Sequence, residues 1–243
     1  MHFHSDEGEI AALDRLSLEV GEREFVSIVG PSGCGKSTLL NIIAGLLPPV
    51  TGQVFIRDKP VSGPTAQVGY MLQSDQLFEW RSVWKNVLLG LEVQNKINTE
   101  TKAFAEELLR KYGLLEFKAH FPRQLSGGMR QRAALIRTLA TKPQILLLDE
   151  AFSALEWPPR LIMTDEVKQI IVKEGKTAIL VTHDIAEAIS MSSRVVVLTK
   201  RPGKIKNIHA ISLGNETSPL KRREAPAFKD YFLKIWKELD VHV

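Results

Sequence analysis

Apolar residues recur along this chain with two different spacings, and the change from one to the other marks out the elements. Phe25-Val26-Ser27-Ile28-Val29, Ile145-Leu146-Leu147-Leu148 and Thr177-Ala178-Ile179-Leu180-Val181-Thr182 are short aliphatic or β-branched runs. Runs of that kind belong to strands covered on both faces, as in a parallel sheet flanked by helices. Residues 194–199 read as a further strand, and 52–57 and 66–72 as two shorter ones, the second delivering Gln73 at its end. The alternation in Leu16-Ser17-Leu18-Glu19-Val20 predicts a half-exposed strand within 10–20.

Elsewhere the spacing is helical. Leu39, Leu40, Ile42, Ile43 and Leu46 predict a helix that stops at Pro48-Pro49. Trp84, Val87, Leu88 and Leu91 share one helical face, and Ala103, Phe104, Leu108 and Leu109 another, which ends at Tyr112-Gly113 where glycine suits a C-cap. With a helix over 130–140 closed by Pro143, these predict a helical subdomain inserted at about 78–140. Further helices are expected over 160–173 and 185–190. Pro202-Gly203 marks a turn, and Phe228, Phe232, Ile235, Trp236 and Leu239 an amphipathic terminal helix, so 201–243 reads as a hairpin followed by a helix. Neither an internal repeat nor a low-complexity segment is present. Strands alternating with helices over 243 residues predict one α/β domain, 1–243, with a parallel-rich sheet.

Composition narrows the classes. The apolar fraction of 44% and charged fraction of 25% are those of a globular protein. No apolar run approaches the roughly 18–20 residues of a membrane-spanning helix. Met1-His2-Phe3-His4-Ser5-Asp6-Glu7 is polar and acidic, unlike a secretory leader. A single cysteine, Cys34, rules out an internal disulfide and suits a reducing compartment. The net charge of +4 is mild, and without a basic stripe or a matching motif no nucleic-acid partner is expected. The short cluster Lys221-Arg222-Arg223 reads as a solvated face.

The chemistry centres on Gly30-Pro31-Ser32-Gly33-Cys34-Gly35-Lys36-Ser37-Thr38, which fits G-x-x-x-x-G-K-[ST] between a predicted strand and a predicted helix. Glycines 30, 33 and 35 let consecutive N–H groups turn towards phosphate oxygens, and the helix adds the positive end of its dipole. Lys36 supplies a charge for the β- and γ-phosphates, and Ser37 a hydroxyl for Mg²⁺. Asp149 and Glu150 follow a buried strand: Asp149 is placed to hold Mg²⁺ and Glu150 to polarise an attacking water, although strand-end acids also cap helices. Gln73 at a strand end could complete the Mg²⁺ shell, and taken alone reads as a surface amide. His183 follows a buried strand, where it could contact the γ-phosphate and brace Glu150. Ser126-Gly127-Gly128, within Leu125-Ser126-Gly127-Gly128-Met129, forms a second anion site at a helix start; a second cradle for one nucleotide suggests a site shared between subunits. Cys34 sits at a helix N-terminus, which lowers a thiol pKa, but it reads as a small residue that fits the loop.

In this order the motifs resemble the nucleotide-binding subunits of ABC transporters along essentially the whole chain. Gly30 to Thr38 matches the Walker A motif, Gln73 the Q-loop, Leu125 to Met129 the signature, Ile145 to Glu150 the Walker B motif with its catalytic glutamate, and His183 the switch histidine. The resemblance implies a P-loop NTPase (RecA-like) core with a small antiparallel β-subdomain and the inserted helical subdomain. It implies two copies closing over two ATP molecules with Mg²⁺, on the cytoplasmic face of the membrane, and driving transmembrane permease subunits fed by an extracytoplasmic solute-binding protein. Gln73-Ser74-Asp75-Gln76-Leu77-Phe78-Glu79-Trp80, the following Val83 to Val87, and the Arg201-Pro202-Gly203 ending resemble importers of the nitrate, sulfonate and taurine group, to which carriers of thiamine-pyrimidine precursors are related. The family usually begins with another strand before an adenine-stacking aromatic, and this sequence is expected to start inside that strand, with Phe3 as the stacking candidate. Ala151 replaces the usual Pro, and Ser153-Ala154-Leu155-Glu156 ends in Glu where the family has Asp. Those departures keep in view a nucleotide-switched subunit that hydrolyses poorly; a separate rival is a non-transport ABC ATPase, although such proteins usually show coiled coils, zinc motifs or paired cassettes that this sequence lacks.

Overall fold

A computed structural model describes residues 2–5, 8–153, 159–214 and 216–239, with backbone alone at 2–5, 8–10 and 159. In chain order the elements are β1 (His2–Ser5), β2 (Gly8–Ala11), β3 (Phe25–Val29), α1 (Lys36–Ile43), β4 (Phe55–Ile56), β5 (Lys59–Pro60), β6 (Val68–Met71), α2 (Val83–Val93), α3 (Thr99–Lys111), α4 (Gly127–Ala140), β7 (Ile145–Asp149), α5 (Pro159–Lys173), β8 (Thr177–Val181), α6 (Ile185–Met191), β9 (Arg194–Leu198), β10 (Ile205–Ala210), α7 (Pro219–Arg222) and α8 (Phe228–Glu238).

The main sheet has six strands in the order β10-β9-β3-β8-β7-β6. Every pairing within it is parallel except β10 on β9. The central strands are predominantly apolar because both of their faces are covered. Along β7, Leu146 and Leu148 face the core shared with α2–α5, whereas Leu147 between them faces the core shared with α1. Its neighbour β8 repeats the division, with Ala178 and Leu180 on the first side and Ile179 and Val181 on the second. All of these residues are 5% exposed or less, so a leucine-to-alanine change among them costs about 2–5 kcal/mol. A third core lies under α6 and α8, where Val29, Val195 and Val197 meet Ile189 and Ile235.

Between β6 and β7 the chain is helical, and α2, α3 and α4 pack on one another through Val87, Leu91, Leu108, Leu109 and Leu135. Capping sets where these helices begin. Ser82 Oγ accepts from Lys85 N–H at 3.3 Å, and Asn98 and Thr101 exchange bonds in a capping box. Fully buried Asn86 ties the turn before α2 together, accepting from Phe78 N–H and donating to the carbonyls of Phe78, Arg81 and Ser82.

Several sequence expectations change. Residues 16–20 keep their alternation of burial, with Leu16, Leu18 and Val20 against the second core, but form no strand. One buried face produces the alternation; a ladder needs a neighbouring edge as well. The strand expected at 52–57 shortens to Phe55–Ile56, paired antiparallel with Lys59–Pro60. On α3, Leu108 and Leu109 are buried and Phe104 packs on the same core as expected, but Ala103 is exposed and Ala105 takes the buried place instead. The basic cluster is a solvated face only in part: Lys221 is exposed, but Arg222 is 9% exposed and donates to the carbonyls of Ile189 and Ser192.

Candidate active site

The loop from Gly30 to Gly35 joins β3, in the middle of the sheet, to α1. Gly33 and Gly35 adopt φ of 72° and 104°, the left-handed region where glycine avoids strain. Gly35 also packs closely, for a side chain there would meet Ala12 O at 2.8 Å. Lys36 begins α1 and folds back over the loop, its Nζ donating to Gly30 O at 2.8 Å and Pro31 O at 3.0 Å. Its charge is thus held at the crest by the carbonyls that bound it. Ser32, Gly33, Gly35, Lys36, Ser37 and Thr38 line a cavity of about 410 Å³, shared with Glu150, His183 and Arg201.

Ser37 Oγ donates to Asp149 Oδ1 at 3.1 Å, and Tyr70 Oη donates to Asp149 Oδ2 at 3.4 Å. Asp149 is 8% exposed, and burial raises its carboxyl pKa above the ordinary value, outweighing both hydrogen bonds. The Tyr70 phenol is raised as well, by burial and then by the Asp149 charge. Cys34 moves against expectation. Its side chain is 1% exposed, and burial pushes the thiol up despite the neighbouring Lys36 and the helix start. A buried, protonated thiol fits a packing role.

Glu150, one residue on, turns out of the strand at φ 46°. His183 Nδ1 lies 3.2 Å from Glu150 Oε2, and Gln73 Nε2 donates to the same oxygen at 3.2 Å. These groups come from the ends of three adjacent parallel strands, β7, β8 and β6, so the register of the sheet gathers them. Gln73 Nε2 also lies 3.4 Å from Ser153 Oγ, which itself donates to Glu150 O at 2.9 Å. Beside Glu150, Ala151 is fully buried.

Ser126, Gly127 and Gly128 lie apart from this cavity. Ser126 caps α4 by accepting from Met129 N–H at 3.3 Å, and Ser126 and Gly127 are exposed. The backbone of Phe3 pairs with Ile10, while its side chain falls outside the described atoms. Residues 154–158, Glu156 among them, lie outside the described residues.

Two features were missed at the sequence level. Arg201, read only as part of a turn, lines the cavity and donates from Nε to Gly33 O at 3.0 Å. The segment after Gln73 is also clamped to α4. Arg130 bonds Asp75 through Nε at 2.8 Å and Nη2 at 3.2 Å, and Arg137 donates to the carbonyls of Asp75 and Gln76. Burial opposes ionisation of Asp75, but the Arg130 bonds prevail and hold its carboxyl below the ordinary value. Arginines spaced by seven on α4 could have signalled a shared face.

A sequence profile of the ABC transporter family matches residues 13–153. An uncharacterized ABC transporter ATP-binding protein of Bacillus subtilis is 44% identical over 239 residues, which cover 98% of this chain and 92% of that protein. A taurine import ATP-binding protein of Rhizobium johnstonii is 46% identical over 196 residues, 81% of this chain and 75% of its own. Among solved structures, a dimeric ATP-binding cassette in a post-hydrolysis state with ADP and phosphate superposes with a TM-score of 0.73 at 32% identity, covering 87% of this chain and 95% of that one.

Proposed function

The chain belongs to the ABC transporter family as an ATP-binding, ATP-hydrolysing subunit, and from that premise we propose that it powers an importer of a small solute of the nitrate, sulfonate and taurine class. The observation that carries the catalytic part is the meeting of Glu150, His183 and Gln73 at one edge of the cavity that holds Lys36.

In this reading Glu150 takes a proton from the attacking water, and His183 and Gln73 hold its carboxylate in place. Lys36 and the N–H groups of 30–38 stabilise charge at the transferred phosphate. Ser37 and Asp149 present hard oxygen donors 3.1 Å apart, a pair that suits Mg²⁺ completed by water and phosphate. Bound there, Mg²⁺ would supply charge neutralisation at the β- and γ-phosphates. Gln73 is retained as the third metal-shell residue through its amide oxygen, while its Nε2 donates to Glu150 Oε2 and ties it to that carboxylate.

Ser126 to Gly128 would complete the site of a second copy, since none of them lines their own chain's cavity and Ser126 and Gly127 face solvent. Phe3 is retained as the adenine-stacking candidate. Permease subunits would dock beside Gln73, where Phe78 and Trp80 stack at 4.8 Å and Trp80 is 74% exposed. Docked so, the protein would lie at the cytoplasmic face of the membrane; among the described residues no helix is long and apolar enough to cross it. A permease contact would move Gln73 and α4 together through the Arg130 and Arg137 clamp.

Reconstitution with its permease and solute-binding protein tests the reading. Hydrolysis stimulated by taurine, another sulfonate or nitrate supports it. Stimulation confined to thiamine-precursor pyrimidines would move the substrate to the related group. ATP hydrolysis that no permease alters would favour a non-transport ATPase.

A further inference from the structure

The turn between β9 and β10 carries a cation into the phosphate cavity. Arg201 lines the cavity with Ser32, Lys36 and Ser37, and one Nη lies 3.6 Å from the point where a Gly33 side chain would begin. Its Nε is committed to Gly33 O at 3.0 Å, which fixes the plane of the guanidinium. Among the described residues no carboxylate lies within ion-pair distance of it, and the same holds for Lys36; of the basic groups lining the cavity only His183 has one, Glu150 at 3.2 Å. A guanidinium fork is matched in shape to a carboxylate or a phosphate, and this one stands without the first beside a cavity built for the second.

The turn is built for close approach. Gly203 N–H donates to Ala12 O at 2.9 Å and Gly203 O accepts from Asp14 N–H at 3.1 Å. A side chain at Gly203 would meet Cys34 O at 2.2 Å, so only glycine lets the turn lie against the phosphate loop. Thr199 closes the other side, Oγ1 donating to Pro202 O at 3.1 Å and accepting from Lys204 N–H at 3.0 Å. Arg201 is therefore presented from a backbone anchored on both sides.

We propose that Arg201 is a second phosphate-binding cation of the nucleotide site, reaching the phosphate chain through its Nη groups while its Nε steadies the loop at Gly33. The inference rests on the reading of this cavity as the nucleotide site.

Calorimetric titration of the whole chain with MgATP and with magnesium pyrophosphate, which has no base, tests it. Arg201→Gln is expected to weaken both about tenfold, as for loss of a charged hydrogen bond. Arg201→Lys keeps the charge but not the Nε bond, and is expected to recover pyrophosphate affinity to within about threefold of wild type. Unchanged affinity in Arg201→Gln would overturn the proposal. So would an Arg201→Lys as weak as Arg201→Gln, since a brace on Gly33 alone would account for both. If Arg201→Gln lowers the melting temperature of the nucleotide-free chain, the Arg201→Lys comparison decides. Lys36→Ala separates the two readings: if it too leaves pyrophosphate binding intact, the cavity is not the phosphate site and the functional reading itself fails.

Discussion

Two loops in this molecule are built from the same materials, small residues at the start of a helix, and they finish very differently. The loop at 30–35 is completed from within its own chain. Lys36 folds over it, Ser37 joins Asp149, Arg201 braces Gly33, and Glu150 and His183 close the cavity beside it. The loop at 125–129 has a helix cap and little else, and Ser126 and Gly127 stand in solvent. A helix N-terminus is an anion site only where other groups converge on it. The first loop is thus a whole site, and the second, in the function proposed above, would be half of one that a second copy finishes.

Replacing the proposed general base should break this contrast most severely. Glu150→Gln is expected to lower kcat by about 10²–10⁴-fold, the usual worth of a general base. ATP binding should survive, and an ATP-dependent dimer should accumulate in light scattering where the wild type dissolves its dimer on turnover. A Glu150→Gln chain that turns over normally would remove the catalytic assignment. Next in size is the half-site. Gly127→Asp adds a carboxylate at the exposed position of the second loop, which in the proposed dimer would meet the phosphates of a partner-bound nucleotide; like charges brought together cost several kcal/mol, so dimer affinity should fall by about 100-fold or more. ATP binding to the single chain should not change, and equal loss of both would show that the second loop serves its own cavity.

Lys36→Ala makes the opposite split. It should weaken ATP binding to the single chain by about 10–100-fold, the range for a lost hydrogen bond to a charged group. The smallest expected effect is a control remote from both loops. Lys168 is 8% exposed, lies 4.1 Å over the Phe25 ring, and is pushed down to about 7 by burial and then by the Arg222 charge. A lysine lowered in the folded state leaves the unfolded chain holding the extra proton between pH 7 and its ordinary 10.5, so stability rises with pH across that window and is level below it. Lys168→Met should flatten the rise in denaturant midpoint without altering ATP affinity in either loop test.

Much of the site could be read from spacing. The order of glycines, Lys36 and Ser37 needs only local backbone geometry, and Asp149 with Glu150 needs only the end of an aliphatic run. Their meeting with Gln73 and His183 could be placed at one sheet edge, because parallel strands all deliver their C-terminal ends to the same side. Arg201 could not be found that way. It lies 168 residues from Gly33 and reaches it through a turn whose close approach depends on Gly203 packing on Cys34. The alternation at 16–20 misled for a related reason, as it records a buried face and is silent on whether a strand lies alongside.

By itself the sequence determined the buried strands, the helices between them and the family, because aliphatic periodicity and motif spacing are local properties of the chain. Tertiary structure decided which groups share an oxygen. It joined Glu150 to His183 and Gln73, turned Arg201 into the phosphate cavity, buried Arg222, and raised the Cys34 thiol against the pull of its helix. Contacts and desolvation depend on what else comes to lie within a few ångströms, and only the folded arrangement of distant segments sets that.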